Sequence, residues 1–154
     1  MSNAIESRLA ELGLTLPDAP APAANYVPYV ISGKQIFISG QISMKDGAFW
    51  TGKVGADLTT EEGAEAAKSC AMALLAQARA ACSGDLSKLG RLVKLVGFVN
   101  STPEFTEQPK VINGASDLMV EVLGEAGRHA RSAVSAGALP FNVAVEIEAI
   151  FELA

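Results

Sequence analysis

One histidine and two cysteines in 154 residues leave little material for several kinds of chemistry. A Ser-His-Asp triad would have to run through His129, the only histidine, and no Cys/Asp cluster surrounds it to hold zinc. Cys70 and Cys82 fall on one predicted helix. At ~1.5 Å per residue they stand roughly 18 Å apart, too far for a disulfide within the chain. Neither belongs to a CxxC pair, so both read as small buried side chains in a reducing compartment. The glycines at 52, 55, 84 and 90 form neither GxxxxGK[ST] nor GxGxxG, so they are turn residues and not a phosphate loop. No apolar run reaches membrane-spanning length, and MSNAIESRLAELG lacks the apolar centre of a signal peptide. A cytoplasmic location is expected, with no membrane partner. Basic residues are also scarce: 12 Lys and Arg against 17 Asp and Glu, a net charge of −5. Without a basic, aromatic-interleaved stripe there is no expected nucleic-acid partner, and RNA cleavage is disfavoured.

The 49% hydrophobic content is enough for one packed domain. Residues 3–13 predict a short amphipathic helix with Ile5, Leu9 and Leu12 on one face. LPDAPAPAAN (16–25) reads as an extended Pro/Ala linker, poor in core-forming residues. The division is thus 1–25 for helix and linker and 26–154 for the domain. YVPYVIS (26–32) and QIFISGQI (35–42) predict a hairpin turning at Gly33-Lys34, and Asp46-Gly47 marks another turn before AFWT. Thr59 and Glu62 have capping-box spacing and open an Ala-rich helix to about Cys82, closed by Ser83-Gly84. A strand over 91–101, a second helix from just after Pro109, a strand near 132–136, a turn at Leu139-Pro140 and a last strand over about 143–153 complete the reading. The fold class is α+β, with two main helices on one face of a mixed sheet.

The tail, HARSAVSAGALPFNVAVEIEAIFEL (129–153), poses the chemical question. Val143, Val145, Ile147, Ala149, Phe151 and Leu153 alternate with Ala144, Glu146, Glu148, Ile150 and Glu152. Glu146 and Glu148 therefore share a face. That face is either a solvated stripe on a half-buried sheet or the wall of a site.

R-S-x-V, then L-P, then V-E-I-E-A-I, in this order and spacing, resembles the YjgF/RidA family of enamine/imine deaminases, many of them labelled endoribonuclease L-PSP. VPYVISG with FISGQI, TGKVGADL (51–58) and LVKLVGFVNSTPEF (92–105) extend the similarity over about Tyr26 to Leu153. The resemblance implies a chorismate-mutase-like fold and a homotrimer with a central barrel and interfacial sites, each built from two chains. Carried over by position, Arg131 would hold a substrate carboxylate and Glu146 would position the attacking water. Tyr29, Ser39 and Asn113 match pocket positions. Many members carry cysteine where Ala133 stands here, so only the backbone of that pocket position remains, and Ala136 replaces a valine. The N-terminal helix marks a longer branch.

The chemistry implied is hydrolysis of a 2-imino or enamine acid to a 2-keto acid and ammonia, with no metal or organic cofactor required. The alternative is a trimeric protein that binds small carboxylates without turning them over. Outside this set, His129 reads as a solvated loop residue more than as a receiver of an anion, Phe49 and Trp50 as core more than as pocket wall, and Glu148 as a solvent or interface contact at least as much as a helper of Glu146.

Overall fold

The computed structural model describes residues 3–22 and 24–154; Met1, Ser2 and Ala23 lie outside them. Helix α1 (Ala4–Glu11) is capped by Asn3, whose side chain accepts from the Ile5 and Glu6 amides. Strands β1 (Tyr29–Ser32) and β2 (Gln35–Ile42) form the expected hairpin. A small second hairpin, β3 (Met44–Lys45) and β4 (Ala48–Phe49), turns at Asp46-Gly47. Helix α2 (Thr60–Ala81) starts at a complete Thr59/Glu62 capping box. Strand β5 (Leu89–Asn100), helix α3 (Gln108–Leu123), strand β6 (Ala130–Ala136) and strand β7 (Val145–Leu153) follow. Pro109 sits in the first turn of α3, where its missing N–H costs nothing.

The main sheet has the order β1-β2-β7-β5-β6. Only β5 and β6 run parallel, joined by the α3 crossover, so the sheet is mixed. Helices α2 and α3 cover one face. There Ile36, Leu74, Leu92, Leu95, Ile112, Ile147 and Phe151 are fully enclosed. The predicted alternation of β7 holds: Val145, Ile147, Ala149 and Phe151 are buried on the helix side. Their neighbours Glu146, Glu148, Ile150 and Glu152 face the side no helix covers. That open face also carries Val30, Phe37 and Val134, exposed by 51, 40 and 46%. Antiparallel sheets do present a solvated face, and this one mixes its glutamates with exposed apolar side chains.

The 16–25 segment is more than a spacer. Leu16 is buried in the core, and the Pro20 carbonyl accepts a 2.7 Å bond from the Gln77 amide of α2. A run of Pro and Ala has little side chain to pack, so it docks through its backbone. The α1 helix is tied down as well: Leu9 is buried and Arg8 donates to the Glu121 carbonyl of α3. Cys70 and Cys82 are both buried free thiols, and burial pushes their ionisation upward, which disfavours the thiolate. No helix among the described residues is long and apolar enough to cross a membrane.

Candidate active site

The candidate residues fall into two groups: Arg131 and Asn113 at the β6 edge, and Glu146 on the central strand β7 with Ser39 and Tyr29 on the strands beyond it. Arg131 lies near the start of β6, level with the buried Leu95 of β5, so its side chain leaves on the helix side. It meets α3 there. Nη1 donates to Asn113 Oδ1 at 2.8 Å and to Ser116 Oγ at 3.0 Å, and Nη2 donates to the Pro109 carbonyl at 3.2 Å. Positions 109, 113 and 116 are spaced i, i+4, i+7, a single stripe on α3. Three of five guanidinium N–H groups are thereby engaged. The Nε–H and one Nη2–H are left, two donors of the kind that take a carboxylate in parallel. Ala133, level with Gly97, packs on the core beside this edge.

Glu146 belongs to the other group. It is level with Phe98 of β5 and Ile42 of β2, on the open face. From Arg131 it is three residues along and two strands across, roughly 14 Å between Cα atoms by ordinary sheet spacing, and on the opposite side of the sheet. A single chain therefore does not bring the two together. The register of β2 shifts between Ile38 and Gln41, and Gly40 lies in that irregular stretch. A Cβ on Gly40 would stand 2.9 Å from Glu146 Cδ, so the glycine lets the carboxylate lie against the β2 backbone. The half-buried carboxyl is harder to ionise than an ordinary glutamate: burial is the main cause, and repulsion from Glu148 adds to it.

Beside Glu146 opens a cavity of about 620 Å³. Its wall is largely apolar, with Pro20, Pro22, Tyr26, Met44, Phe49 and Phe141 among its residues. Phe49 was expected in the core; instead it is 45% exposed and stacks on Phe141 with ring centroids 4.9 Å apart. The reason is that β4 is a two-residue strand of the small hairpin, outside the main sheet. Trp50 packs partly against the core and carries Lys45 over its ring at 4.8 Å. Phe141 and Asn142 both hold φ of 57°, in the left-handed region. The buried Asn100 pins that turn by donating to Asn142 Oδ1 and the Val143 carbonyl. Alternation along β7 gave no sign of this cavity, because apart from Glu146 its wall comes from the linker, β2, the small hairpin and the Pro140-Phe141 turn.

Tyr29 and Ser39 lie on β1 and β2, on the Glu146 side of the sheet, but outside the cavity wall. Tyr29 packs on the core, its hydroxyl 3.5 Å from the Ala80 carbonyl. Ser39 commits its hydroxyl to the Val27 carbonyl at 2.8 Å. His129, expected to be a solvated loop residue, is half-buried and bonded through both ring nitrogens. Nε2 is 2.9 Å from Ser116 Oγ, and Nδ1 is 2.6 Å from the Gly127 carbonyl. No stretch of sequence singled out Ser116; only the fold joins it to Arg131. Among the described residues no group of three or more His, Cys, Asp or Glu is placed to hold a metal ion.

Comparison with known proteins agrees with this architecture. The family profile described as "YjgF/chorismate mutase-like, putative endoribonuclease" matches residues 6–153. The Trypanosoma cruzi protein TCP17 is 52% identical over 154 residues, covering 99% of this chain and 96% of that one. A crystal structure of an Agrobacterium tumefaciens protein of unknown function is 55% identical, with a TM-score of 0.90 over 98% of this chain and 93% of its own. RidA from an Antarctic Psychrobacter is 26% identical, with a TM-score of 0.58 over 90% of this chain and 98% of its own. The chain belongs to the YjgF/RidA family, with its chorismate-mutase-like α+β fold.

Proposed function

We propose that this protein hydrolyses reactive 2-imino acids to 2-keto acids and ammonia, at sites assembled between copies of a homotrimer. One observation carries the reading. Arg131 keeps two free donors at one sheet edge, while Glu146 waits beside an apolar cavity on the opposite face. Each is half of a site. The uncovered sheet face, with Val30, Phe37 and Val134 exposed, supplies apolar surface through which copies pack.

The chemistry follows from these groups. The Arg131 fork of one copy takes the substrate carboxylate by two charge-assisted bonds, which fixes the imine carbon. Glu146 of the neighbouring copy accepts a proton from a water aimed at that carbon, and its raised pKa makes it the stronger base. A C–O bond forms, giving a carbinolamine. The C–N bond then breaks, ammonia departs with the transferred proton, and the C=O of the keto acid remains. Imines hydrolyse slowly unaided, so orientation supplies much of the acceleration. The cavity beside Glu146, walled by the Phe49–Phe141 pair, has room for a bulky apolar side chain.

The test generates 2-iminopropanoate, 2-iminobutanoate and 2-imino-3-phenylpropanoate in situ with an amino-acid oxidase and traps surviving imine with semicarbazide. The wild type should deplete the trapped product, the phenyl compound included. Arg131→Ala should lose about 2–5 kcal/mol of substrate handling, as when one partner of a buried charge pair is removed. Equal rates for Arg131→Ala and wild type would remove the assignment. Keto-acid binding with no turnover of any imine would instead favour the carboxylate-binding alternative.

A further inference from the structure

We infer that Ser116 and His129 are positioning residues that set the plane of the Arg131 guanidinium for a carboxylate; the inference rests on the reading of Arg131 above. Drawn with a neutral His129, the hydrogen-bond chain has one consistent direction. Arginine donates and never accepts, so Ser116 Oγ accepts from Nη1 at 3.0 Å. Its own proton is then free for His129 Nε2, 2.9 Å away. The Gly127 carbonyl, 2.6 Å from His129 Nδ1, can only accept. The proton is therefore assigned to Nδ1, and Nε2 is left as an acceptor. The chain runs Arg131 to Ser116 to His129 to Gly127 and uses a neutral imidazole with both nitrogens satisfied.

The far end of this chain is rigid. Gly127 is buried, and a Cβ there would collide with the Met119 carbonyl of α3. The carbonyl that orients His129 is thus held against the same helix that supplies Pro109, Asn113 and Ser116. Asn113 and Ser116 together consume both Nη1 hydrogens. That fixes rotation about the Cζ–Nη1 bond and points the remaining Nε–H and Nη2–H in one direction. Arg131 is only half-buried, on an edge strand, and its flexible side chain would otherwise lose rotamer freedom each time a carboxylate is bound. A guanidinium already oriented by α3 does not incur that loss at binding.

The test measures 2-oxobutanoate affinity by calorimetry and 2-iminobutanoate turnover for wild type, Arg131→Ala, Ser116→Ala, His129→Ala and Ser116→Thr. Ser116→Ala and His129→Ala should each weaken 2-oxobutanoate binding and raise KM by about fivefold to tenfold, the scale of one net hydrogen bond, with kcat within about twofold. Ser116→Thr, which keeps the hydroxyl, should restore binding. The ¹H–¹⁵N signals of Arg131 Nη1 should be separately observed in wild type and collapse by faster rotation in Ser116→Ala. Full affinity in Ser116→Ala and His129→Ala, with affinity lost in Arg131→Ala, overturns the inference and leaves the proposed function standing. If Arg131→Ala binds normally, the proposed function falls. The Nη1 signal then decides: unchanged rotation in Ser116→Ala overturns the positioning role, and faster rotation upholds it.

Discussion

Glu146 joins stability to activity at a single residue. Its carboxyl is harder to ionise in the fold than in the unfolded chain, so the folded state binds more protons wherever the two differ. Stability linked to it is fully present below the ordinary glutamate value. It falls as pH rises from there through the raised value and stays low above. Glu146→Gln removes a half-buried charge and its repulsion with Glu148. The variant should therefore melt higher than wild type at pH 7, with the gap closing by about pH 4. Thermal melts at both pH values check this; a gap that widens on acidification would contradict it. Activity should move the other way, falling by about 10²–10⁴-fold as expected for loss of a general base. The acid limb of the wild-type rate profile should have its midpoint above the ordinary value of 4.5.

Element contacts decide how close the two long helices come. A Cβ on Gly114 of α3 would collide with the Ala64 carbonyl of α2. In an isolated helix Gly→Ala stabilises by about 0.8–1 kcal/mol. Here the added methyl meets backbone, which cannot rotate away, and overpacking costs about 1–3 kcal/mol. Gly114→Ala should be net destabilising, seen as a lower urea midpoint at unchanged m. A neutral or higher midpoint would mean that the helices separate easily. At this scale the sequence was most readable. The Thr59/Glu62 box, Pro109 and the two-residue alternation of β7 each encode an element locally, and each stands where expected. The docking of the extended 16–22 segment was not legible, because it uses the Pro20 carbonyl and the Gln77 amide, 57 positions apart, a pairing that no local pattern carries.

For the whole molecule, the family resemblance pointed to Arg131 and Glu146 but gave no view of their arrangement in one chain. Fifteen residues of tail separate them in sequence, whereas the sheet inserts β5 between their strands and turns their side chains to opposite faces. Asn113, Ser116 and His129 all reach Arg131 only through the packing of α3 on β6. If Arg131 and Glu146 are two half-sites, a complementation test is decisive. Arg131→Ala subunits keep Glu146, and Glu146→Gln subunits keep Arg131. If each site takes one residue from each of two neighbours, unfolding the two inactive variants together and refolding them should regenerate intact sites. In a cyclic trimer assembled at random from equal amounts, about one site in four pairs the intact halves, so roughly a quarter of wild-type activity should return. Mixing without subunit exchange should return none. If the co-refolded mixture stays inactive while co-refolded wild type recovers, both residues would have to act within one chain. The separation of their faces speaks against that, because Arg131 is not among the residues that line the cavity beside Glu146.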